Sequence, residues 1–197
     1  VARIPDSLTT VFHTAAGREV RDGGGVSPDI EVKQERLPNI LFYLVRDNLI
    51  FDYATDYCLK HPAIASAKEF ELTDADYEEF KNKVKGADFK YDQQSEKILN
   101  TLKEAAEFEG YMKDASDEFK ALENKLKHNL DRDLDYFSKD IKKMIAEEII
   151  KRYYYQEGAI IQQLKDDKDL DEAVKVLTNP ERYQQILSVT AVTAKKE

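Results

Sequence analysis

The sequence predicts a mainly α fold: a multi-helix bundle that carries a short N-terminal β-hairpin arm. Glycine and proline concentrate at the start of the chain, where residues 1–36 hold four of the seven glycines and two of the five prolines. Downstream, apolar residues recur at the three- and four-residue spacing of a buried helix face. We therefore predict three parts: the arm at 1–36, a helical domain at 37–190 and a tail at 191–197.

The arm is predicted to consist of short strands joined by turns. Residues 10–14 alternate in the period-two pattern of a strand. Ala15-Ala16-Gly17 can turn the chain, so that residues 18–21 run back beside the first strand. Gly23-Gly24-Gly25 predicts a second turn, because glycine adopts backbone conformations that other residues rarely reach. Ile30-Glu31-Val32 is predicted to form a short third strand.

The first helix is predicted to run over about 38–60, with Pro38 at its first position, where the missing N–H has no cost. Its apolar residues cover more than one stripe, which predicts that it is largely buried or faces a partner. His61-Pro62 should end it, because the residue before a proline is pushed out of the α region. The next helix starts at Thr73 as N-cap, with Asp76 at N3, and ends at the following glycine.

Five further helices are predicted, at about 92–108, 113–127 and 130–156, then after Asp169 and after Asn179. The 130–156 helix is the longest and carries an apolar seam typical of helix–helix packing. The residues of this seam are Leu130, Leu134, Phe137, Ile141 and Met144, with Ile145 and Ile149 beside them. In the 92–108 helix, the residues predicted to share one apolar face are Ile98, Leu99, Leu102, Ala105 and Ala106.

The charge balance argues against nucleic acid binding. The chain has 39 acidic and 30 basic residues, a formal net charge of −9, whereas a nucleic acid partner requires a basic surface. No stretch approaches the roughly 20 apolar residues of a membrane-spanning helix, so no transmembrane segment is predicted. Cys58 is the single cysteine, which excludes a disulfide within the chain.

No metal or cofactor site is predicted. His13, His61 and His128 are far apart, and none of them shares helical i,i+4 spacing with another ligand, as convergent zinc ligands often do. The glycine run at 23–25 lacks the lysine, the Ser/Thr and the following helix of a phosphate-binding loop. We interpret it as a turn.

No catalytic residue is predicted either. Ser138 and Lys142 can face each other at i,i+4, as a nucleophile and its base would, but lysine and aspartate are abundant in that region and a surface pair is the preferred interpretation. Asp131 and Asp133 could form a general acid–base pair. They lie in a charged helical run, which is typical of a solvent-facing surface.

Three consecutive tyrosines, Tyr153, Tyr154 and Tyr155, stand near the end of the longest helix. Consecutive residues point in different directions around a helix, so the three rings cannot all face one core. Tyrosine joins a large apolar ring to a polar tip, a combination common at interfaces. We predict a contact surface for another domain or subunit; the alternative is partial burial at the helix end.

Residues 12–32 read FHTAAGREVRDGGGVSPDIEV. This stretch resembles the segment that follows the catalytic core in carboxy-terminal processing (tail-specific) serine peptidases, whose pattern is roughly F-x-T-x-x-G-R-x-V-x-D-G-G-G-I-x-P-D-I-x-V. The matching residues singled out as the family motif are Phe12, Thr14, Gly17, Arg18, Asp22, Gly23, Gly24, Gly25, Pro28 and Asp29. Val26 stands where the pattern has isoleucine. Residues 73–187 also resemble the helical C-terminal extension of family members from Bacteroides-like bacteria.

The resemblance implies that the parent protein is a serine endopeptidase with a lysine general base and a PDZ domain that presents the substrate's C-terminal tail. No residue of this chain matches the serine and lysine motifs of the family. We therefore expect a non-catalytic accessory domain that supports the protease core and contacts protein substrates, a partner subunit or a second copy. The resemblance also implies export to the periplasm or cell envelope. The alternative is an unrelated helical adaptor that binds another protein through the 38–60 helix or the tyrosines.

The resemblance also bears on the arm, which packs on the catalytic core in that family. Because the chain begins at Val1 without the core, we expect it to be a piece of a longer protein. An isolated hairpin is marginal in water, and its open edges can pair with another chain. We therefore expect the arm to be mobile or paired with a second copy rather than folded onto the helices.

Overall fold

A computed structural model describes residues 5–15, 17–23, 25, 28–33 and 36–188. Within these residues the chain forms two strands and nine α-helices, and the predicted mainly α fold with an N-terminal hairpin is confirmed. The elements are β1 (Val11–His13), β2 (Glu19–Arg21), α1 (Asn39–Arg46), α2 (Leu49–Lys60), α3 (Asp74–Gly86), α4 (Gln94–Phe108), α5 (Ser116–Leu126), α6 (Leu130–Tyr136), α7 (Ser138–Gln163), α8 (Lys168–Leu177) and α9 (Pro180–Leu187). The predicted tail at 191–197 lies outside the described residues.

The chain divides into two compact units. One comprises residues 36–165 and holds α1 to α7. The other comprises the described parts of 1–35 and 166–197, which are the arm with α8 and α9. The division into arm, helical domain and tail that composition predicts stays a prediction.

The arm contains the predicted hairpin, because β1 and β2 pair antiparallel with Phe12 opposite Val20. The predicted third strand is wrong: residues 31–33 are irregular, and no described strand offers them the hydrogen-bonding partner that a strand requires. Ile30 and Val32 instead line an apolar cavity of about 400 Å³ together with α8 and α9. The expectation that the arm is mobile or paired with a second copy stays a prediction.

The core of the 36–165 unit lies where α2 packs on α7, with α1, α3 and α6 completing it. Its most deeply buried side chains are Ile40, Leu41, Leu44, Phe80, Val84, Leu134, Ile141, Ile145, Ile149 and Ile150. Removing one such side chain from water contributes roughly 1.5–3 kcal/mol. The predicted seam of the long helix supplies four of them, so the periodicity identified a real packing face.

The helix predicted over 38–60 is two helices, and the prediction of one is wrong. α1 ends at Arg46, and Asn48 adopts the left-handed conformation with φ 58° before α2 begins. Asparagine tolerates this conformation better than other non-glycine residues, because its short side chain can hydrogen-bond locally. The predicted burial is correct on both sides of the break, since Leu44 and Leu49 are buried.

The helix predicted over 130–156 is also interrupted, at Phe137, where φ is −97° and ψ is 16°. The Phe137 N–H still donates to the Asp133 carbonyl, and the Ile141 N–H donates to the Phe137 carbonyl, both at 3.0 Å. Because helical hydrogen bonds continue across the break, the apolar periodicity continues too and gives no sign of it. α7 then runs on to Gln163, beyond the predicted end.

The predicted N-caps at Thr73 and Asn179 are confirmed. Thr73 Oγ1 accepts a hydrogen bond from the Asp76 N–H at 3.1 Å, and the Asp76 carboxylate accepts from the Thr73 N–H at 3.2 Å, which completes a capping box. The Asn179 side chain accepts from the Arg182 N–H at 3.0 Å, ahead of Pro180 at the start of α9. Local sequence therefore fixes these helix starts.

α4 and α5 form a helical hairpin whose two helices pack chiefly on each other. α4 buries Leu99 and Ala106, as predicted, but Ile98 and Leu102 are exposed and their predicted place on the buried face is wrong. α5 buries no residue fully. A two-helix hairpin covers only one side of each helix, which leaves the rest of the apolar stripe in water.

Candidate functional site

The first half of the motif in the arm forms the turn between β1 and β2. The Thr14 N–H donates to the Arg18 carbonyl at 2.9 Å, and Thr14 Oγ1 accepts from the Arg18 N–H at 3.1 Å. Gly17 has φ 83°, a conformation that disfavours residues with a Cβ. The threonine and the glycine of the motif are therefore explained by the geometry of this turn.

The second half of the motif links the end of the hairpin to the segment after the glycines. Asp22 Oδ1 accepts from the Thr10 N–H at 2.6 Å, which extends the pairing of the hairpin by one step. Arg18 forms an ion pair with Asp29 and so links the turn to the segment after the glycines. Gly23 and Gly25 both have positive φ, as a reversal there needs, whereas Gly24 lies outside the described residues. Pro28 is exposed, and no contact among the described residues explains it.

The hairpin presents one apolar cross-strand pair. Phe12 and Val20 lie directly opposite each other and so share one face of the hairpin, where they are 53% and 42% exposed. Both strands have only each other as partners among the described residues. This apolar pair and two open strand edges suit docking onto a further protein surface.

The three tyrosines predicted as an interface have different surroundings. Tyr153 is partly buried and its hydroxyl donates to the His61 carbonyl. The Tyr154 hydroxyl donates to the Ala65 carbonyl at 3.1 Å. Both hydroxyls therefore hold α7 against the segment after α2. Tyr155 is 78% exposed, so its ring is the one of the three most available to a partner.

α7 is kinked at Tyr155, the most exposed of the three tyrosines. Tyr155 has φ 54° and ψ −151°, outside the helical region. Three residues later, Gly158 is so close to Tyr154 that a Cβ added to Gly158 would lie 2.3 Å from the Tyr154 Cβ. The glycine is thus required by the kink.

Arg152 joins the same region to α2. Its guanidinium donates to the Phe51 carbonyl and to Thr55 Oγ1, each at 3.1 Å, and to the Glu148 carboxylate at 2.8 Å. It also lies 4.6 Å from the centre of the Phe51 ring. These contacts give the Arg152–Gly158 stretch a structural role, and its most exposed ring, that of Tyr155, remains the candidate contact.

The Asp133 carboxylate is the centre of a buried hydrogen-bond network that the sequence does not predict. Asp133 was predicted to face solvent, but it is buried, which corrects that prediction. Its carboxylate accepts from the Tyr91 hydroxyl, from Gln93 Nε2 at 2.9 Å and from Arg132 at 2.6 Å. No short-range pattern links residues 91–93 to residue 133, so only the tertiary structure reveals this site, which holds the base of the α4–α5 hairpin.

The hydroxyls of four tyrosines have raised pKa values. Burial raises the pKa of Tyr53, Tyr77 and Tyr91 well above the ordinary value. Burial, and next a hydrogen bond with Cys58, raise the pKa of Tyr153 to about 12. All four hydroxyls are therefore neutral at physiological pH and available as hydrogen-bond donors.

Lys142, the base in the one nucleophile–base pair that the sequence offered, is engaged elsewhere. Its ammonium group lies 2.5 Å from an Asp74 carboxylate oxygen and 5.3 Å from the centre of the Tyr77 ring. The hydrogen bond from Lys142 also lowers the pKa of Asp74. The Lys142 ammonium group is thus paired with an exposed carboxylate, and this geometry favours the surface-pair interpretation.

The described part of the chain contains no group of three or more His, Cys, Asp or Glu side chains that could hold a metal ion. Among the same residues, no helix has the length and apolar character needed to cross a membrane.

The comparisons with known proteins yield one match. Residues 40–177 match the family model described as "Probable PDZ-protease, C-terminal helical domain". No curated protein and no solved structure matches the chain. The matched span includes α1 to α8 almost entirely, so the match concerns the helical part of the chain and leaves the arm outside it.

Proposed function

Because this chain belongs to the family of probable PDZ-protease C-terminal helical domains, we propose that it is a non-catalytic accessory domain of a carboxy-terminal processing serine peptidase of the Ser–Lys type. One observation carries this proposal: the helical domain of a protease family directly follows an arm whose sequence, at residues 12–32, resembles the segment after the catalytic core of such peptidases. The match supports this proposal over the alternative of an unrelated helical adaptor.

The geometry of the arm supports a role in contacting the protease core. Thr14, Gly17, Arg18, Asp22 and Asp29 make contacts or adopt conformations that set the shape of the arm. The apolar pair on the hairpin is left exposed. We propose that this pair packs on the catalytic body and that an open strand edge extends its sheet.

Two further parts of the proposal concern partners and place. The exposed Tyr155 is the proposed contact for a partner subunit, a protein substrate or a second copy. The periplasm or cell envelope is the proposed location, because the resembled peptidases are exported. Fractionation of cells that express the whole gene tests the location, and recovery in the cytoplasmic fraction contradicts it.

The test of function is a reconstitution. The gene is read upstream of the codon for Val1, and the encoded peptidase core is expressed without residues 1–197. Cleavage of an unfolded protein with an apolar C-terminal tail is then measured for the chain, for the core and for their mixture. We expect no cleavage by the chain, weak cleavage by the core and faster cleavage by the mixture.

A matched pair of variants locates the contact. Phe12→Ser with Val20→Ser should abolish the gain from mixing, whereas Phe42→Ser, an equally exposed phenylalanine on α1, should preserve it. Cleavage by the chain that survives repurification and is lost on a point change within the chain contradicts the proposal. The absence of a Ser–Lys core upstream contradicts it as well.

A further inference from the structure

The outer end of the α4–α5 hairpin exposes two aromatic rings. Residues 104–118, here called the acidic tip, comprise the end of α4, a tight turn at Gly110 and the start of α5. Phe108 is 94% exposed and Tyr111 is 62% exposed. Large apolar side chains grouped in this way mark interaction surfaces more often than isolated ones do.

The rings stand among uncompensated acids. The acidic tip holds six carboxylates and one lysine, Lys113, a formal charge of −5 in a chain whose total is −9. The six are Glu104, Glu107, Glu109, Asp114, Asp117 and Glu118, and all are exposed. Within the described residues only Asp117 has an ion-pair partner, Lys120 at 3.7 Å. Elsewhere in the hairpin, Lys103 neutralises Glu123 at 2.8 Å, so the imbalance is local to the tip.

The packing of the hairpin does not account for the two rings. α4 buries Leu99 and Ala106 against its neighbours, α5 buries nothing fully, and no ring contact involves Phe108 or Tyr111 in the part of the chain that the structure describes. Replacing either ring should therefore leave the fold intact, and neither ring is explained by stability.

We propose that the acidic tip binds a basic segment of another protein, one that carries arginine or lysine interleaved with apolar side chains. The carboxylates attract the cations, and guanidinium groups can lie over the exposed ring faces, as Arg46 lies 4.3 Å from the centre of the Tyr43 ring in this same chain. The charge disfavours a second copy, whose tip carries the same sign, and an anionic lipid surface. This inference does not rest on the protease role.

The experiment measures binding of a fluorescently labelled peptide of alternating arginine and leucine to the whole 197-residue chain, by anisotropy. A peptide of alternating glutamate and leucine is the control probe. We expect only the basic peptide to bind. Its affinity should fall steeply as salt shortens the screening length from about 10 Å at 0.1 M to about 3 Å at 1 M.

Two double variants test the contributions of the rings and of the charges to peptide binding separately. Phe108→Ser with Tyr111→Ser, and separately Glu107→Lys with Glu109→Lys, should each weaken binding about tenfold or more. Phe42→Ser and Glu71→Lys, exposed residues away from the tip, are the matched controls and should leave binding unchanged. Circular dichroism checks that every variant keeps its helix content.

Three results overturn the proposal: no binding of the basic peptide, equal loss in the control variants, or binding that salt does not weaken. Self-association that depends on Phe108, measured by sedimentation, would assign the surface to a second copy and overturn it as well. Because no protease core is present in the assay, failure here leaves the reconstitution result unaffected, and the two proposals fail separately.

Discussion

Gly158 lies against Tyr154 across the kink in α7, and a Cβ on Gly158 would come within 2.3 Å of the Tyr154 Cβ and 2.9 Å of Ile150 Cγ2. Gly158→Ala should therefore lower the free energy of unfolding by about 1–3 kcal/mol, the usual cost of overpacking. Urea unfolding measures it. Gly86→Ala is the control, because nothing lies within 4 Å of the added Cβ. That variant should gain about 0.5 kcal/mol. Equal effects at the two glycines would contradict the packing argument.

The kink is centred on Tyr155, whose backbone conformation is one that glycine adopts far more readily. Tyr155→Gly should thus be more stable than Tyr155→Ala by about 1 kcal/mol. The same pair of changes at Lys120, an exposed position within α5, should give the opposite order by about 1 kcal/mol, because glycine weakens a regular helix. The free energies of unfolding of the four variants test this prediction. The same order of glycine and alanine at both positions would show that Tyr155 is not strained.

Leu49 begins α2 and is 8% exposed, whereas Leu59 in the same helix is 81% exposed. Leu49→Ala should cost about 2–5 kcal/mol, because it removes buried apolar surface and leaves a cavity. Leu59→Ala should change the free energy of unfolding by less than about 0.5 kcal/mol. Thermal or urea unfolding distinguishes them. A small effect at Leu49 would mean that the start of α2 lies outside the core.

The buried tyrosines predict a loss of stability in alkali. Burial raises the pKa of Tyr53, Tyr77 and Tyr91, so the folded state holds protons that the unfolded state releases above pH about 10. Stability from these groups is fully present below that pH and falls as the pH rises above it. Unfolding in urea at a series of pH values from 7 to 11 measures the decline.

Tyr77→Phe should make this alkaline decline shallower. At neutral pH it should also cost about 1 kcal/mol, because the Tyr77 hydroxyl donates to the Leu134 carbonyl at 2.6 Å. Tyr111→Phe, at an exposed position, should leave the slope as it is. An unchanged slope in Tyr77→Phe would exclude this tyrosine as a source of the pH dependence.

The hairpin of the arm should exchange its amide hydrogens faster than the core of α7. β1 and β2 pair only with each other among the described residues, whereas Ile141, Ile145 and Ile149 are fully buried. Hydrogen exchange in dilute solution makes the comparison. Protection of residues 11–13 that rises with protein concentration would indicate pairing with a second copy. Strong protection in a proven monomer would show instead that the hairpin is held by its own chain.

The local sequence predicted those features whose determinants lie within a few residues of one another. Thr73 and Asp76 are three residues apart, and Asn179 stands next to Pro180, so capping could be inferred directly. The long apolar seam likewise predicted the buried face of α7. The sequence did not predict the helix breaks at Asn48 and Phe137, because neither residue has a glycine or proline beside it. Helical hydrogen bonds also continue across Phe137.

By itself, the sequence determined the fold class, the hairpin and most of the helices. Only the tertiary structure decided which polar groups are buried and which apolar groups are exposed. Asp133 is enclosed because residues 91–93 fold over it from forty positions away, and Ile98 and Leu102 are exposed because no helix among the described residues covers them. Burial is a property of all surrounding segments together, and no local pattern encodes it.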